Sequence, residues 1–194
     1  MKHRVIVIAV AATLAAAGTA TFADGGKSTF TTSLTGYQET PVTLNSPGSG
    51  EFAAKVSKDG KSIDYVLTYR DLPTSVLQSH IHFGRPALTG SIVLFLCTNL
   101  APPPNVPVPP ACPQAPVGGA SAKVSGTLTA ANVISPTSTA QGLSGGDTGF
   151  AQIVAAIRNG AAYANVHTDQ FKSGEIRGAL GHAHDEADGD DNED

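Results

Sequence analysis

The stretch EFAAKVSKDGKSIDYVLTYR, Glu51 to Arg70, carries the clearest structural signal in the chain. Phe52, Ala54 and Val56 alternate with polar neighbours. After Lys58-Asp59-Gly60-Lys61, Ile63, Tyr65, Leu67 and Tyr69 alternate with Ser62, Asp64 and Thr68. Successive side chains on a strand point to opposite faces, so each run buries one face and wets the other. Gly60 accepts the positive φ that a tight turn demands, and the whole segment predicts a β-hairpin.

Working outward, further strands are predicted at 28–36, 77–83, 91–97, 121–128, 161–168 and 174–180. The run Ile92-Val93-Leu94-Phe95-Leu96 is apolar on both faces and reads as a central strand covered on both sides. One segment breaks the pattern: Phe150, Ile153, Val154 and Ile157 fall at i, i+3, i+4 and i+7, one apolar stripe of a helix. Asp147 or Thr148 can cap its start, and Asn159-Gly160 can end it with a left-handed residue. The Ser-, Thr- and Gly-rich stretch from Ser135 to Gly146 reads as loop. The expected fold is mostly β, an antiparallel sandwich or barrel with one short helix near 148–159.

The ends have their own character. Met1-Lys2-His3-Arg4 is a short positive start, Val5 to Ala17 is small and apolar, and Gly18 to Ala23 offers a processing site. That order is the layout of a secretory signal peptide over residues 1–23. A membrane span needs about 20 predominantly apolar residues, and this run is shorter. The mature chain is therefore expected to be soluble and exported, periplasmic or secreted. Residues 182–194 hold His182, His184 and then seven acids in the last ten positions, which predicts a disordered acidic tail.

The whole chain has 12 basic and 16 acidic residues. Setting aside Lys2, Arg4 and the seven tail acids leaves the body nearly neutral, which argues against nucleic acid or an anionic membrane as partner. The two cysteines, Cys97 and Cys112, most simply form a disulfide in an exported protein. They would close a loop dense in proline, an extended surface excursion rather than helix or interior strand.

Four of the five histidines after the leader lie in two His-x-His pairs. In Ser79-His80-Ile81-His82-Phe83-Gly84, His80 and His82 share one strand face, and neutral imidazoles side by side suit copper, zinc, iron or nickel. In Tyr163-Ala164-Asn165-Val166-His167-Thr168, Tyr163, Asn165 and His167 share a face. If the two strands are neighbours, three imidazoles converge, and three protein ligands plus water form a catalytic-type metal site. The same histidines can instead hydrogen-bond through both ring nitrogens and hold strands in register. Spacing leaves both readings open.

Three separated stretches resemble a known family. Leu34-Thr35-Gly36-Tyr37-Gln38-Glu39-Thr40-Pro41 is similar to the opening of the CHRD (chordin-type) domain. So is Ser79 to Gly84 followed by Gly90-Ser91-Ile92-Val93. So is Gly160 to Thr168 followed by Ser173-Gly174-Glu175-Ile176-Arg177-Gly178. The resemblance covers residues 28–181, with the Pro-rich stretch 98–120 as an insertion that carries the cysteines. It implies a β-sandwich-like extracellular module that binds rather than catalyses, with a protein or glycan ligand. His-Ile-His-Phe-Gly is also similar, over five residues, to His-Val-His-Glu-Phe-Gly of copper-zinc superoxide dismutases.

Other chemistries find no footing. Gly142-Leu143-Ser144-Gly145-Gly146 is not Gly-x-Ser-x-Gly, and Gly145-Gly146-Asp147-Thr148-Gly149 lacks the lysine of a phosphate-binding loop. The few acids of the body are scattered and mostly in polar settings. Glu175 and Arg177 face the same way and read as an ion pair or sheet-surface pair. The sequence thus predicts a non-enzymatic extracellular binding or structural module. The alternative is an exported copper or zinc protein using His80, His82 and His167, with redox activity on that metal as a further step.

Overall fold

The computed structural model describes residues 28–134 and 139–181. The expected signal peptide, the acidic tail with His182 and His184, and part of the 135–146 loop lie outside them. Eight strands and one helix follow in order: β1 (Thr29–Thr35), β2 (Ser49–Val56), β3 (Ser62–Arg70), β4 (Val76–Phe83), β5 (Ser91–Thr98), β6 (Ala122–Thr129), α1 (Gly146–Arg158), β7 (Ala162–Thr168) and β8 (Ile176–Leu180). All pairings are antiparallel, in the order β5-β4-β7-β8-β1-β2-β3-β6, a nearly closed, barrel-like sheet. No helix among the described residues is long and apolar enough to cross a membrane.

The hairpin forms as the alternation requires. Val56 pairs with Ile63, and the turn carries Gly60 at φ +71°. Phe52, Ala54, Val56, Ile63, Tyr65, Leu67 and Tyr69 are all buried. They join Phe30 and Leu34 of β1 and the Phe150, Ile153, Val154 and Ile157 stripe of α1 in one core. At about 25 cal/mol per Å² of apolar surface, such burial is the main force holding the sheet to the helix.

Two expectations are corrected. The helix begins at Gly146, with Gly145 as its unassisted cap, so neither Asp147 nor Thr148 caps it. Asp147 lies inside the first turn, where a carboxylate complements the helix dipole. The other end is as expected: Asn159 closes the helix and Gly160 takes φ +63°.

The second correction concerns β5, which ends the sheet order and pairs only with β4. It is not central. Two register shifts against β4 break its alternation, so Val93 and Leu94 are both buried, as are Leu96 and Cys97. Its free edge is covered by other means: the Ile134 N–H donates to the Val93 carbonyl, the Tyr65 hydroxyl to the Leu96 carbonyl, and the Thr98 N–H to the Pro110 carbonyl.

Cys97 and Cys112 form the expected disulfide. Residues 99–111 between them hold no helix or strand, and Asn99 knits them back to the sheet. The Asn99 amide donates to the Val76 and Cys112 carbonyls and accepts from the Cys112 N–H. Val106 to Pro110 flank a groove of about 420 Å³ with Phe95 of β5 and Ser125–Leu128 of β6 on its other sides.

Candidate metal centre

The β4–β7 pairing supplies what the sequence left open. His80 lies opposite Asn165, His82 opposite Tyr163, and Gln78 opposite His167, so the strands are neighbours and these side chains share one face. The intervening Ile81, Ala164 and Val166 take the other face and belong to the core. The imidazoles converge: the His80 ring centroid lies 4.7 Å from that of His167 and 5.3 Å from that of His82. One ring nitrogen from each lies within 4.8 Å of the others, and all three residues are buried.

The hydrogen bonds fix two of the three tautomers. His82 Nδ1 is 2.9 Å from the Gly90 carbonyl, and His167 Nδ1 is 2.9 Å from the Lys172 carbonyl. A carbonyl can only accept, so each Nδ1 carries the proton and each Nε2 of the neutral ring keeps a lone pair. His82 Nε2 and both ring nitrogens of His80 are buried without a protein partner. Metal-ligating histidines commonly show this arrangement, one ring nitrogen tied to a carbonyl and the other left for the ion.

Burial holds all three rings neutral. Desolvation, reinforced by the neighbouring His167 and His82, pushes His80 well below the ordinary histidine range. It lowers His82 to about 4, against the raising effect of its bond to Gly90. It also lowers His167. The Asn165 side chain works the other way on His80 and His82, as an acceptor near both would. Phe95 meets His80 edge-on at 4.4 Å, which dries the site further.

The remaining expected residues form a second layer. Tyr163 stacks on His82, its hydroxyl accepts from the Gly90 N–H, and the Arg177 guanidinium carbon lies 3.4 Å from its ring centroid. Arg177 is opposite Asn165 on β8 and donates to the Leu88 carbonyl at 2.7 Å, the Arg85 carbonyl at 3.3 Å and the Thr40 hydroxyl. It thereby clamps the 84–90 loop that delivers the Gly90 carbonyl to His82.

Glu175 and Arg177 are not the expected pair. Both are buried, and Glu175 accepts from the Ser46 and Thr168 hydroxyls, each at 2.5 Å. Lying just before β8, Glu175 takes hydroxyl partners of its own. Among the described residues the ion pair is Arg70–Asp71, at the surface.

Glu39 was hidden in the sequence among acids read as lying in polar settings. It is buried, one carboxylate oxygen has no partner, and desolvation raises it to about 7 despite the opposing Arg177 charge, Thr40 N–H and Asn165 amide. A cavity of about 250 Å³ lies against Glu39, Val42, Phe171, Lys172 and Gly174. The one signal that could have singled out Glu39 is its place in the Leu34–Pro41 motif.

No curated protein and no solved structure matches the chain significantly. The model of the CHRD domain matches residues 30–180, nearly the whole described part, including the three histidines. With its eight antiparallel strands and two-histidine β4, the chain belongs to the CHRD domain family.

Proposed function

We propose that this CHRD domain is an exported metal-binding module that holds one copper or zinc ion through His80, His82 and His167. Family membership supports a binding or structural module in general terms. The observation that carries the metal reading is the convergence of three buried imidazoles, of which both nitrogens of His80 and the Nε2 of His82 have no partner. Leaving a buried polar group without a partner costs about 1–3 kcal/mol. A metal ion offsets that cost at His80 and His82 together, and neutral imidazole is a good ligand for copper and zinc.

Export is supported by the leader-like residues 1–23 and by the Cys97–Cys112 disulfide, a bond characteristic of oxidising compartments. The role proposed is binding, not turnover. Elemental analysis of the mature protein, purified untagged from an oxidising compartment, tests the core of the reading. About one equivalent of copper or zinc, lost in His167→Gln, is the expected result. No retained metal after incubation and desalting overturns it, and the histidines are then a structural network in a module for a protein or glycan ligand. Redox turnover that tracks metal content would overturn the non-enzymatic half.

A further inference from the structure

His80, His82 and His167 are 0%, 7% and 6% exposed, so an ion reaches them only if something covering them moves. The covers differ in how they are anchored. Phe95 of β5 walls off His80. The turn after β7 lies against His167, and it is tied down by the Asp169 N–H to the Ser75 carbonyl, the Gln170 N–H to the Thr74 hydroxyl, and a half-buried Phe171. His82 is met by the 84–90 connection between β4 and β5, whose Arg85, Pro86, Ala87, Leu88 and Thr89 are all exposed. No side chain roots that loop in the core. Its hold is polar: Arg177 donates to the Arg85 and Leu88 carbonyls, the Gly90 N–H donates to the Tyr163 hydroxyl, and the Gly90 carbonyl lies 2.9 Å from His82 Nδ1. Lifting it draws none of its own apolar side chains out of the core.

The backbone of the loop fits the same role. Glycines stand at both ends of its neck and touch: a Cβ at Gly90 would lie 3.0 Å from the Gly84 N and 1.8 Å from the Phe83 carbonyl oxygen. A compact loop with closed ends and glycine at each end can swing as a unit, since glycine absorbs the rotation. At the tip the Leu88 N–H donates to the Arg85 carbonyl across Pro86 and Ala87, and Ala87 takes φ +62°. That is the pattern of a type II turn, whose third position favours glycine. An alanine there strains the closed tip, and the Arg177 bonds hold it down against that strain.

Resting on the metal-binding reading above, we infer that residues 84–90 are a lid through which the ion enters and leaves, with Arg177 as its latch. Opening removes the Gly90 carbonyl from His82 and frees that ring to meet the ion; closing returns the ring to the cluster and seals it. The lid sets how fast metal exchanges rather than how tightly it is held, because it is shut over the empty and the filled cluster alike.

The test uses the mature protein and Co²⁺ at neutral pH, following uptake by stopped-flow absorbance, release into excess chelator, and affinity by competition. In the unmodified protein the uptake rate should level off as Co²⁺ is raised, since lid opening then limits it. Ala87 is exposed at the tip and touches no histidine, so its variants report on the lid alone. Ala87→Gly relieves the left-handed strain and should slow the limiting uptake and the release by about threefold or more each. Ala87→Val adds a β-branched side chain at the same φ and should speed both by a similar factor. Affinity should stay within about twofold in each. Uptake that rises linearly with Co²⁺ and is equal in all three proteins overturns the lid and leaves the three-histidine site standing. So does a change in affinity with uptake unaltered, which makes the loop part of the site's shape. Failure of the unmodified protein to bind Co²⁺ overturns both readings.

Discussion

The imidazole of His82 lies flat on the phenol ring of Tyr163, centroids 4.6 Å apart and planes 8° from parallel. The same phenol ring carries the Arg177 guanidinium at 3.4 Å. A cation, an aromatic ring and a metal-ligand candidate are thus joined across three strands, and Arg177 ties them to the 84–90 loop.

Arg177→Lys should therefore be far from conservative. A lysine cannot reproduce the fork that serves the Arg85 and Leu88 carbonyls and the Thr40 hydroxyl. Buried acceptors left without donors should cost about 2–4 kcal/mol, read from urea unfolding. A loss below about 0.5 kcal/mol would show that the clamp is not needed.

The metal-free protein should lose stability on acidification. Folding lowers His80, His82 and His167, so the unfolded chain binds more protons below the ordinary histidine pKa of 6.5. The resulting stability is complete above about pH 6.5 and falls away as pH drops, for His82 down to about 4. His82 alone is worth on the order of 3 kcal/mol over that window. Urea midpoints between pH 4 and 8 should rise with pH, and the rise should flatten in a His80→Gln, His82→Gln, His167→Gln variant. Parallel curves for the two proteins would refute this.

Glu39 has the opposite sign. Its pKa is raised from 4.5 to about 7, so its contribution is present below 4.5 and lost as pH rises through 7. Without metal, Glu39→Gln should be more stable than the unmodified protein at pH 8.5, with the advantage fading by pH 5. A variant equally destabilised at both values would mean that packing, not ionisation, governs the position.

Much of the fold was legible because its signals are local. Alternation from Phe52 to Tyr69 and the stripe from Phe150 to Ile157 each fix one element without knowledge of any other. β5 was misplaced because an apolar run records burial, not its cause. Bulges and three capping hydrogen bonds bury a strand end of the sheet as effectively as two flanking strands do. The site was half legible. His80, His82 and His167 were visible as same-face pairs, but their convergence depends on β4 and β7 being neighbours, which strand spacing does not reveal. Glu39 was visible only as a member of the Leu34–Pro41 motif, since an isolated acid in a loop shows nothing of its burial.

Gly90 offers a sharp test of the loop that orients His82. A Cβ at Gly90 would fall 1.8 Å from the Phe83 carbonyl oxygen, so Gly90→Ala must displace the backbone that supplies the Gly90 carbonyl. A loss above about 3 kcal/mol, together with weakened metal binding, is expected. Gly118→Ala has φ +71° but open space around it and should cost only about 1 kcal/mol. Equal costs at the two positions would deny Gly90 any special role.

Reduction of Cys97–Cys112, or Cys112→Ser, should cost roughly 3 kcal/mol, the value for a loop of about 15 residues in the chain-entropy model. Limited proteolysis should then cut first between residues 98 and 112. An unchanged cleavage pattern would show that the Asn99 bonds alone hold the segment.

The Pro110 contact to β5 gives that bond a second meaning. The barrel's seam is laced rather than woven: strand pairing stops at β5, and a proline strap knotted at one sulfur–sulfur bond covers the open hem. Where thiols are kept reduced the knot slips and the Thr98 end of that edge is offered to any passing chain. On the export reading proposed above, the domain is finished by the compartment it enters, and a copy retained among reducing thiols would be unlaced.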